Sequence, residues 1–378
     1  MNHHGEVIIH QTRIPKYREP FFNKLFDLGD RDGIKYQVFV SKDRHQQFKA
    51  ESAMTKNIVE CQTLKIKVHG REFHFRKIHR ENFEVDLVIC EYGLKNFLIY
   101  TLLFLMRPKF FAFWGHGDTR TKKISNIEKA LKRLLLRKSD FFLAYTEACA
   151  TSVNKNGIPK SRIRVINNSI DTLEITNGIE KFDHVDEFRF RQEFKLNESD
   201  IVFAFIGSFE KEKRLDFLFD AFEQISKKVP EAKLLVYSPE SFDQVFLGKR
   251  PPNVFVHGEA DNRIKIGLSK TCFALLNPGR VGLIAVDSFA MGVPIITTDW
   301  RFHAPEYSYL NLTNSISASD SVDEYASAVI DLLGSKNTRD RLREGCLESA
   351  RFFSIEKMAQ NYHSAVINCI ELLHDKKG

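Results

Sequence analysis

Strand-like and helix-like segments alternate almost from end to end of this chain, and the alternation runs twice. Val7-Ile8-Ile9 is a short apolar run, and after the turn residues around Pro15, Phe21, Phe22, Leu25 and Phe26 recur at helical spacing. Residues 36–40, 86–90, 110–114, 141–145 and 164–166 read as further strands. An apolar helix is expected over 94–106, and Ile124, Ile127, Leu131, Leu134 and Leu135 mark one face of an amphipathic helix. A later helix ends near Gly157, with Pro159 just beyond it. Residues 172–200 are polar and weakly periodic, which suits a domain boundary. The pattern then restarts with strands at 201–206, 233–237, 254–257, 272–276 and 294–298, and is helical from about 321 onward. Leu215, Leu218, Phe219, Phe222 and Ile225 form one helical stripe inside this second block.

Strands separated by helices build parallel sheets covered on both faces. A chain of 378 residues is long enough for two such blocks, each with its own core. The expected fold is α/β, with two Rossmann-like doubly wound domains facing across a cleft. The expected division is 1–171, then 172–350, then a C-terminal helix over 351–378 packing back on the first domain. Ligands of such sheets lie beyond the carboxyl ends of the strands. The loops that follow strands are therefore the places to look for chemistry.

Composition narrows the field only a little. Hydrophobic residues at 43% and charged residues at 28% are an ordinary soluble balance. The net charge of +7 suits a phosphate-bearing ligand, an anionic membrane surface or nucleic acid. No basic motif interleaved with aromatics is present, so nucleic acid is not an expected partner. The six cysteines form no C-x-x-C pair and several sit in apolar runs, as reduced core thiols of a cytoplasmic protein would. No signal-peptide pattern is visible, and the longest apolar run, 97–106, is too short to span a bilayer.

Three loops stand out. The first is Gly207-Ser208-Phe209-Glu210-Lys211-Glu212-Lys213-Arg214. It sets cations at the start of a helix, where they oppose the helix dipole unless an anion lies between them. A diphosphate would satisfy both the cations and the free helix N–H groups; a charged surface turn is the other reading. The second is Asn277-Pro278-Gly279-Arg280-Val281-Gly282-Leu283, running into a short apolar helix that stops at Gly292. Asp287 lies inside that helix, where a carboxylate needs partners. A ribose diol is one partner, and a neighbouring backbone group or arginine is another. The third is Gly115-His116-Gly117-Asp118, a histidine between glycines after a strand.

These segments together resemble the family 4 glycosyltransferases of the GT-B fold over nearly the whole chain. Val165-Ile166-Asn167-Asn168-Ser169-Ile170-Asp171 resembles that family's interdomain segment, and the run from Ile14 to Phe22 its opening loop and first helix. Gly207 to Lys213 is similar to the donor-phosphate loop. Gly282-Leu283 to Asp287, with Ala290-Met291-Gly292-Val293-Pro294, is similar to the donor-site helix. His303-Ala304-Pro305-Glu306 resembles a following loop of one branch. The resemblance implies a retaining transferase that needs no metal or cofactor and uses a UDP- or GDP-linked sugar donor. It implies that Lys213 neutralises the departing diphosphate and that His116 contacts the donor sugar or the reacting centre. Gly207, Ser208, Arg280, Gly282 and Leu283 would line the donor site, and Asp287 would hold the ribose. Tyr17 and Arg18 would lie on the acceptor side.

Two departures from the family are visible. Gly279 stands where the first glutamate of the E-x7-E motif is expected, and Ser208 stands where an arginine is expected. Arg280 is the candidate to supply the missing positive charge. The lone D-x-D triplet, Asp30-Arg31-Asp32, falls at the turn after the first helix and reads as a turn rather than a metal site. Cations cluster at Lys122, Lys123, Lys129, Lys132, Arg133, Arg137 and Lys138, and again at Lys65, Lys67, Arg71, Arg76, Lys77 and Arg80. A basic amphipathic helix there would dock on anionic lipid at the inner face of a membrane, which suits a glycan or lipid-linked acceptor in polysaccharide or glycolipid biosynthesis. A solvated helix face is the other reading. A nucleotide-sugar epimerase of related fold and a degenerate transferase-like partner subunit are the alternative functions.

Overall fold

The computed structural model describes residues 5–42, 56–68, 71–117, 125–240 and 250–375. Asp118, Lys122, Lys123 and Ile124 lie outside the described residues, as does the side chain of Arg71. The chain divides into two compact units, Met1–Ile170 with Ile355–Gly378, and Asp171–Ser354.

The first unit is built on a parallel sheet of seven strands, ordered β3-β2-β1-β6-β7-β8-β9. They are β1 (Gly5–Gln11), β2 (Ile34–Ser41), β3 (Ile58–Cys61), β6 (Leu87–Glu91), β7 (Phe110–Gly115), β8 (Phe141–Ala144) and β9 (Ile163–Val165). Side chains alternate across the sheet. Val7, Ile9, Leu87, Ile89, Phe110 and Ala112 join one apolar layer, while Ile8, Val88, Cys90, Phe111 and Phe113 join the other. Both faces are thus buried, which is why the strands read as continuous apolar runs. The helices Glu19–Asp32 and Ile355–Asp375 cover the first layer. There Trp114 packs against Phe21, Phe22 and Tyr362. Each such fully buried ring is worth roughly 1.5–3 kcal/mol of hydrophobic stabilisation.

The second unit carries a parallel sheet of six strands, ordered β12-β11-β10-β13-β14-β15. These are β10 (Ile201–Ile206), β11 (Ala232–Tyr237), β12 (Val254–His257), β13 (Cys272–Leu276), β14 (Ile295–Thr298) and β15 (Ser315–Ala318). The chain starts at β10, moves outward through β11 and β12, then returns to the other side of β10 with β13. The loops after β10 and β13 therefore flank the point where strand order reverses, the place where open α/β sheets hold ligands.

Several elements differ from what periodicity suggests. Residues 172–200 contain two helices, Leu173–Lys181 and His184–Glu193. The second has no apolar stripe to read, because Phe190 is its one buried side chain. The expected helix over 94–106 is a single α turn, Phe97–Tyr100, followed by a π-helical turn, Thr101–Leu105. An antiparallel hairpin, β4 (Thr63–Val68) with β5 (Arg71–Arg76), had no sequence signal strong enough to find. The stripe on the helix Asn126–Lys138 also turns outward. Only Leu135 and Leu136 are buried there, while Ile127 is 82% exposed.

Candidate functional site

The donor-type loops of the second unit come together as one construction. After β10, residues Lys211–Lys213 form a 3-10 turn and Arg214 takes a left-handed backbone (φ 58°) before the helix Leu215–Lys228 begins. After β13, the chain runs through Asn277 to Leu283 into the helix Ile284–Met291, which stops at Gly292. Two bonds join the loops. The Arg280 N–H donates to the Glu212 carbonyl at 2.8 Å, and Lys213 Nζ donates to the Arg280 carbonyl at 2.8 Å. Gly207 lies beneath the lysine stem: a Cβ there would sit 3.3 Å from Lys213 Cε.

Gly279 explains the missing glutamate. A Cβ on it would meet the Glu212 carbonyl oxygen at 2.4 Å and the Lys213 carbonyl oxygen at 2.5 Å. Those are backbone atoms of the lysine turn, so no side chain fits while the two loops are joined. In this chain the turn carrying Lys213 occupies the space that a larger residue at 279 would need.

Electrostatics single out the same place. Lys213 is half-buried, and desolvation of its ammonium first, then the charge of Arg280, pulls its pKa down to about 8, with Glu210 offsetting part of this. The Arg280 guanidinium is half-buried and forms no ion pair among the described residues. Two cations without a carboxylate between them are a standing cost that an anion would relieve. The helix Ile284–Met291 begins beside them without a side-chain cap, so its first N–H groups add partial positive charge. Buried Asn277 completes the wall: neither end of its side-chain amide has a hydrogen-bond partner among the described residues. Ser208 is half-buried in the same loop.

His303 holds the second loop in shape. Its Nδ1 accepts from the Val281 N–H at 3.1 Å and its Nε2–H donates to the Thr298 carbonyl at 2.9 Å. This pairing requires one neutral tautomer, and burial keeps it neutral by lowering the pKa to about 4. The ring stacks flat on Tyr307 at 3.9 Å. Nearby, buried Glu306 approaches Gly282, whose added Cβ would lie 3.8 Å from a carboxylate oxygen.

Asp287 has a partner of its own. Lys265, from the helix Asn262–Thr271, reaches both carboxylate oxygens at 2.9 Å. Burial raises the Asp287 pKa and Lys265 pulls it back. The partner present in this structure is a lysine, where the sequence reading had offered a ribose, a backbone group or an arginine. Lys265 was missed because a lone lysine in a helix gives no sequence signal.

The first unit carries a separate cavity of about 500 Å3 at the carboxyl ends of β1, β6, β7 and β8. Tyr92, Trp114 and Tyr145 give it aromatic walls, and Glu91, His116 and Lys132 give it polar ones. His116 is exposed and meets the Tyr145 ring edge-on at 4.6 Å. The backbone at Gly117 is left-handed (φ 72°), and a Cβ there would strike Val153 at 2.2 Å. The Gly-His-Gly spacing therefore serves the loop that presents the histidine. Glu91 is held by the N–H and hydroxyl of Thr12 at 3.0 and 2.9 Å.

Arg18 is a correction. It is 5% exposed, with its guanidinium donating to Asn168 Oδ1 at 2.8 Å and lying over the Trp114 ring at 5.7 Å. A side chain so enclosed ties the opening loop to residues 168–169 and is not presented to an acceptor. Tyr17 beside it is exposed. Part of the expected basic surface is corrected too. Arg76 is buried, bonded to the Gln11 and Phe39 carbonyls, and Arg80 pairs with Glu84. Asp32 of the D-x-D triplet is engaged by Arg31 and His363, which hold its pKa well below the usual range.

Residues 186–346 match the model of the family described as Glycosyl transferases group 1. That match falls within the second unit. The matched segment contains both joined loops, Lys265, Asp287 and His303. Over 177 residues the chain is 27% identical to an uncharacterized 41.2 kDa protein in the cps region of Klebsiella pneumoniae, covering 45% of each. It is 22% identical to an uncharacterized glycosyltransferase of Methanocaldococcus jannaschii, covering 68% of this chain and 65% of that protein. The chain thus spans about half the length of the first relative and just under two thirds of the second. Among solved structures, Anabaena HepE in complex with UDP and glucose aligns with 97% of this chain and 100% of its own, at 12% identity and a TM-score of 0.66. The fold of this chain is GT-B, with a Rossmann-like sheet in each unit.

Proposed function

We propose that the protein is a retaining glycosyltransferase that takes a sugar from a nucleoside-diphosphate donor without a metal ion. The observation that carries this reading is the junction of the two loops in the second unit. There a desolvated lysine, an unpaired arginine and an uncapped helix N-terminus converge at the switch point of the sheet.

Breaking the bond to an anomeric carbon leaves negative charge on the diphosphate. Cations and N–H groups already in place stabilise that charge without reorganising water. Lys213 is the group assigned to the leaving diphosphate, with Arg280 and the backbone of Gly282 and Leu283 beside it. Their positive charge supplies what a divalent cation supplies in other transferases. Asp287, held by Lys265, is the group assigned to the ribose, and His116 is the group assigned to the reacting sugar. The structure of HepE with UDP and glucose supports a nucleotide-sugar donor of this class. The acceptor we assign is a glycan or a lipid-linked sugar, in polysaccharide or glycolipid synthesis on the cytoplasmic side of a membrane. The name of the Klebsiella relative, which places it in a cps region, fits that assignment.

A panel of nucleoside diphosphates and nucleotide sugars, read by thermal shift, tests the donor assignment. Binding to the native state alone raises the melting temperature. A UDP or GDP shift that is lost in Lys213→Ala is the expected outcome, and no shift with any member of the panel rejects it. Gly279 favours one second reading, a transferase-like partner subunit, because the position carries no carboxylate for sugar hydroxyls. Absence of every nucleotide shift would select that reading. Turnover of nucleotide sugar without acceptor would select an epimerase instead.

A further inference from the structure

The first unit exposes a group of large apolar side chains. Leu64, Ile66 and Phe75 of the β4–β5 hairpin are exposed, and Leu64 pairs with Phe75, Ile66 with Phe73, on one side of the ribbon. Phe97 continues that side, stacked on Phe75 at 4.2 Å. The π-helical turn that follows ends in Phe104, Leu105 and Met106, which are 45%, 80% and 47% exposed. Side chains of this size grouped on one surface mark an interaction site.

The second element is the helix Asn126–Lys138. Ile127 and Leu134 are exposed, and Leu131 lies between them at helical spacing. Lys129, Arg133, Arg137 and Lys138 are exposed on the same helix, and none forms an ion pair with a described residue. On the hairpin side, Lys65, Lys77 and Lys95 are likewise exposed and unpaired among the described residues. Lys67 is left out of this set because it lies opposite Glu72 across the hairpin.

Both elements border one cavity. His74, Lys95 and Asn96 line it on the hairpin side, and Glu128 and Lys132 line it on the helix side. We propose that the first unit docks on an anionic bilayer through these two elements, bringing the cavity that contains His116 to the lipid surface. Apolar side chains enter the interface while the surrounding lysines and arginines meet anionic headgroups. Seven exposed cations without an ion pair among the described residues, set beside exposed apolar side chains, are complementary to an anionic lipid surface, which takes up both; an acidic protein partner in its place would leave the chain unfloated. The assignment of a sugar acceptor to that cavity rests on the function proposed above, and a bilayer at its mouth narrows the acceptor to a lipid-linked one. The docking itself does not depend on nucleotide binding.

The test is flotation of the full chain with phosphatidylcholine vesicles, with and without phosphatidylglycerol, at low and high salt. Co-flotation with the phosphatidylglycerol vesicles at low salt is expected, weakening as salt is raised. Phe104→Ser/Leu105→Asp/Met106→Ser should reduce recovery by about tenfold or more, since it removes the inserting side chains. Lys65→Glu/Lys77→Glu, which leaves the apolar residues in place, should lose the preference for phosphatidylglycerol. Each variant should keep the wild-type melting temperature and nucleoside-diphosphate shift, so failure of docking is distinguishable from failure of the donor assignment. Wild-type protein that stays at the bottom of the gradient with phosphatidylglycerol vesicles overturns the proposal. So does a triple variant that floats as the wild type does.

Discussion

The joined loops of the second unit and the cavity of the first are built in opposite ways. The loops are made of backbone and two cations, taken from two short stretches and fixed by one main-chain hydrogen bond and one from the lysine ammonium to a carbonyl. The cavity is made of side chains from six separate segments, with aromatic rings as its walls. A backbone site tolerates no intrusion but is indifferent to most side chains around it. A side-chain site is the reverse. The two should therefore fail differently when they are altered.

The largest effect is expected at Gly279. Gly279→Glu restores the residue type that the family resemblance leads one to expect, yet its Cβ would collide with two backbone oxygens of the lysine turn. Forcing the loops apart should cost about 3 kcal/mol of stability and remove nucleotide binding. Thermal melting with and without UDP or GDP reads both. A variant that melts normally and binds nucleotide would show that the loops are not rigidly joined, and would erase the contrast with the cavity. Next comes Lys213→Ala. Its ammonium bonds the Arg280 carbonyl and, among the described residues, no side chain, so the fold should survive while turnover drops roughly 100-fold, the scale for losing one preorganised contact to a developing anion. Steady-state kinetics with the donor found by the binding panel is the measurement, and near-normal turnover removes the lysine from the mechanism.

The contrast also explains what could be read from sequence. Apolar runs were enough to place the central strands of both parallel sheets, because those strands are buried on both faces, while the half-exposed edge strands β3 and β15 gave too little signal to find. The lysine turn and the helix ending at Gly292 were legible because backbone sites keep fixed spacings of glycine and charge. The hairpin escaped notice because its apolar residues are exposed and its strands are flanked by lysines. Arg18 was misjudged because sequence shows a cation but not the rings of Tyr17, Phe21 and Trp114 around it. Ile127 and Leu134 were read only as one face of an amphipathic helix, because periodicity marks a stripe without saying which way it turns.

Asp287 and Lys265 offer a third, smaller effect. Lys265→Met leaves a buried carboxylate unpaired, and should cost about 2 kcal/mol once the partial exposure of the lysine is allowed for. Adding Asp287→Asn should return much of that stability, since the buried charge is then gone. Ribose recognition would not return with it. A double variant that recovers both melting temperature and nucleotide affinity would remove Asp287 from the donor site.

The smallest effect is a pH dependence, and it separates the two regions without any substitution in the cavity. Lys213 has its pKa lowered to about 8 in the free protein. A bound diphosphate favours the ammonium and raises that value, so above pH 8 binding must take up a proton. Affinity for nucleoside diphosphate should be flat below about pH 8 and should then fall by up to about tenfold per pH unit. The fall continues until the pKa of the bound state is reached. Lys213→Met should bind more weakly at pH 7 but lose the slope above pH 8. Calorimetry in buffers of different ionisation enthalpy counts the proton directly. A wild-type affinity that stays level from pH 7 to 9.5 would mean that the anion does not sit against this lysine, and would move the diphosphate toward Arg280 and the helix N-terminus.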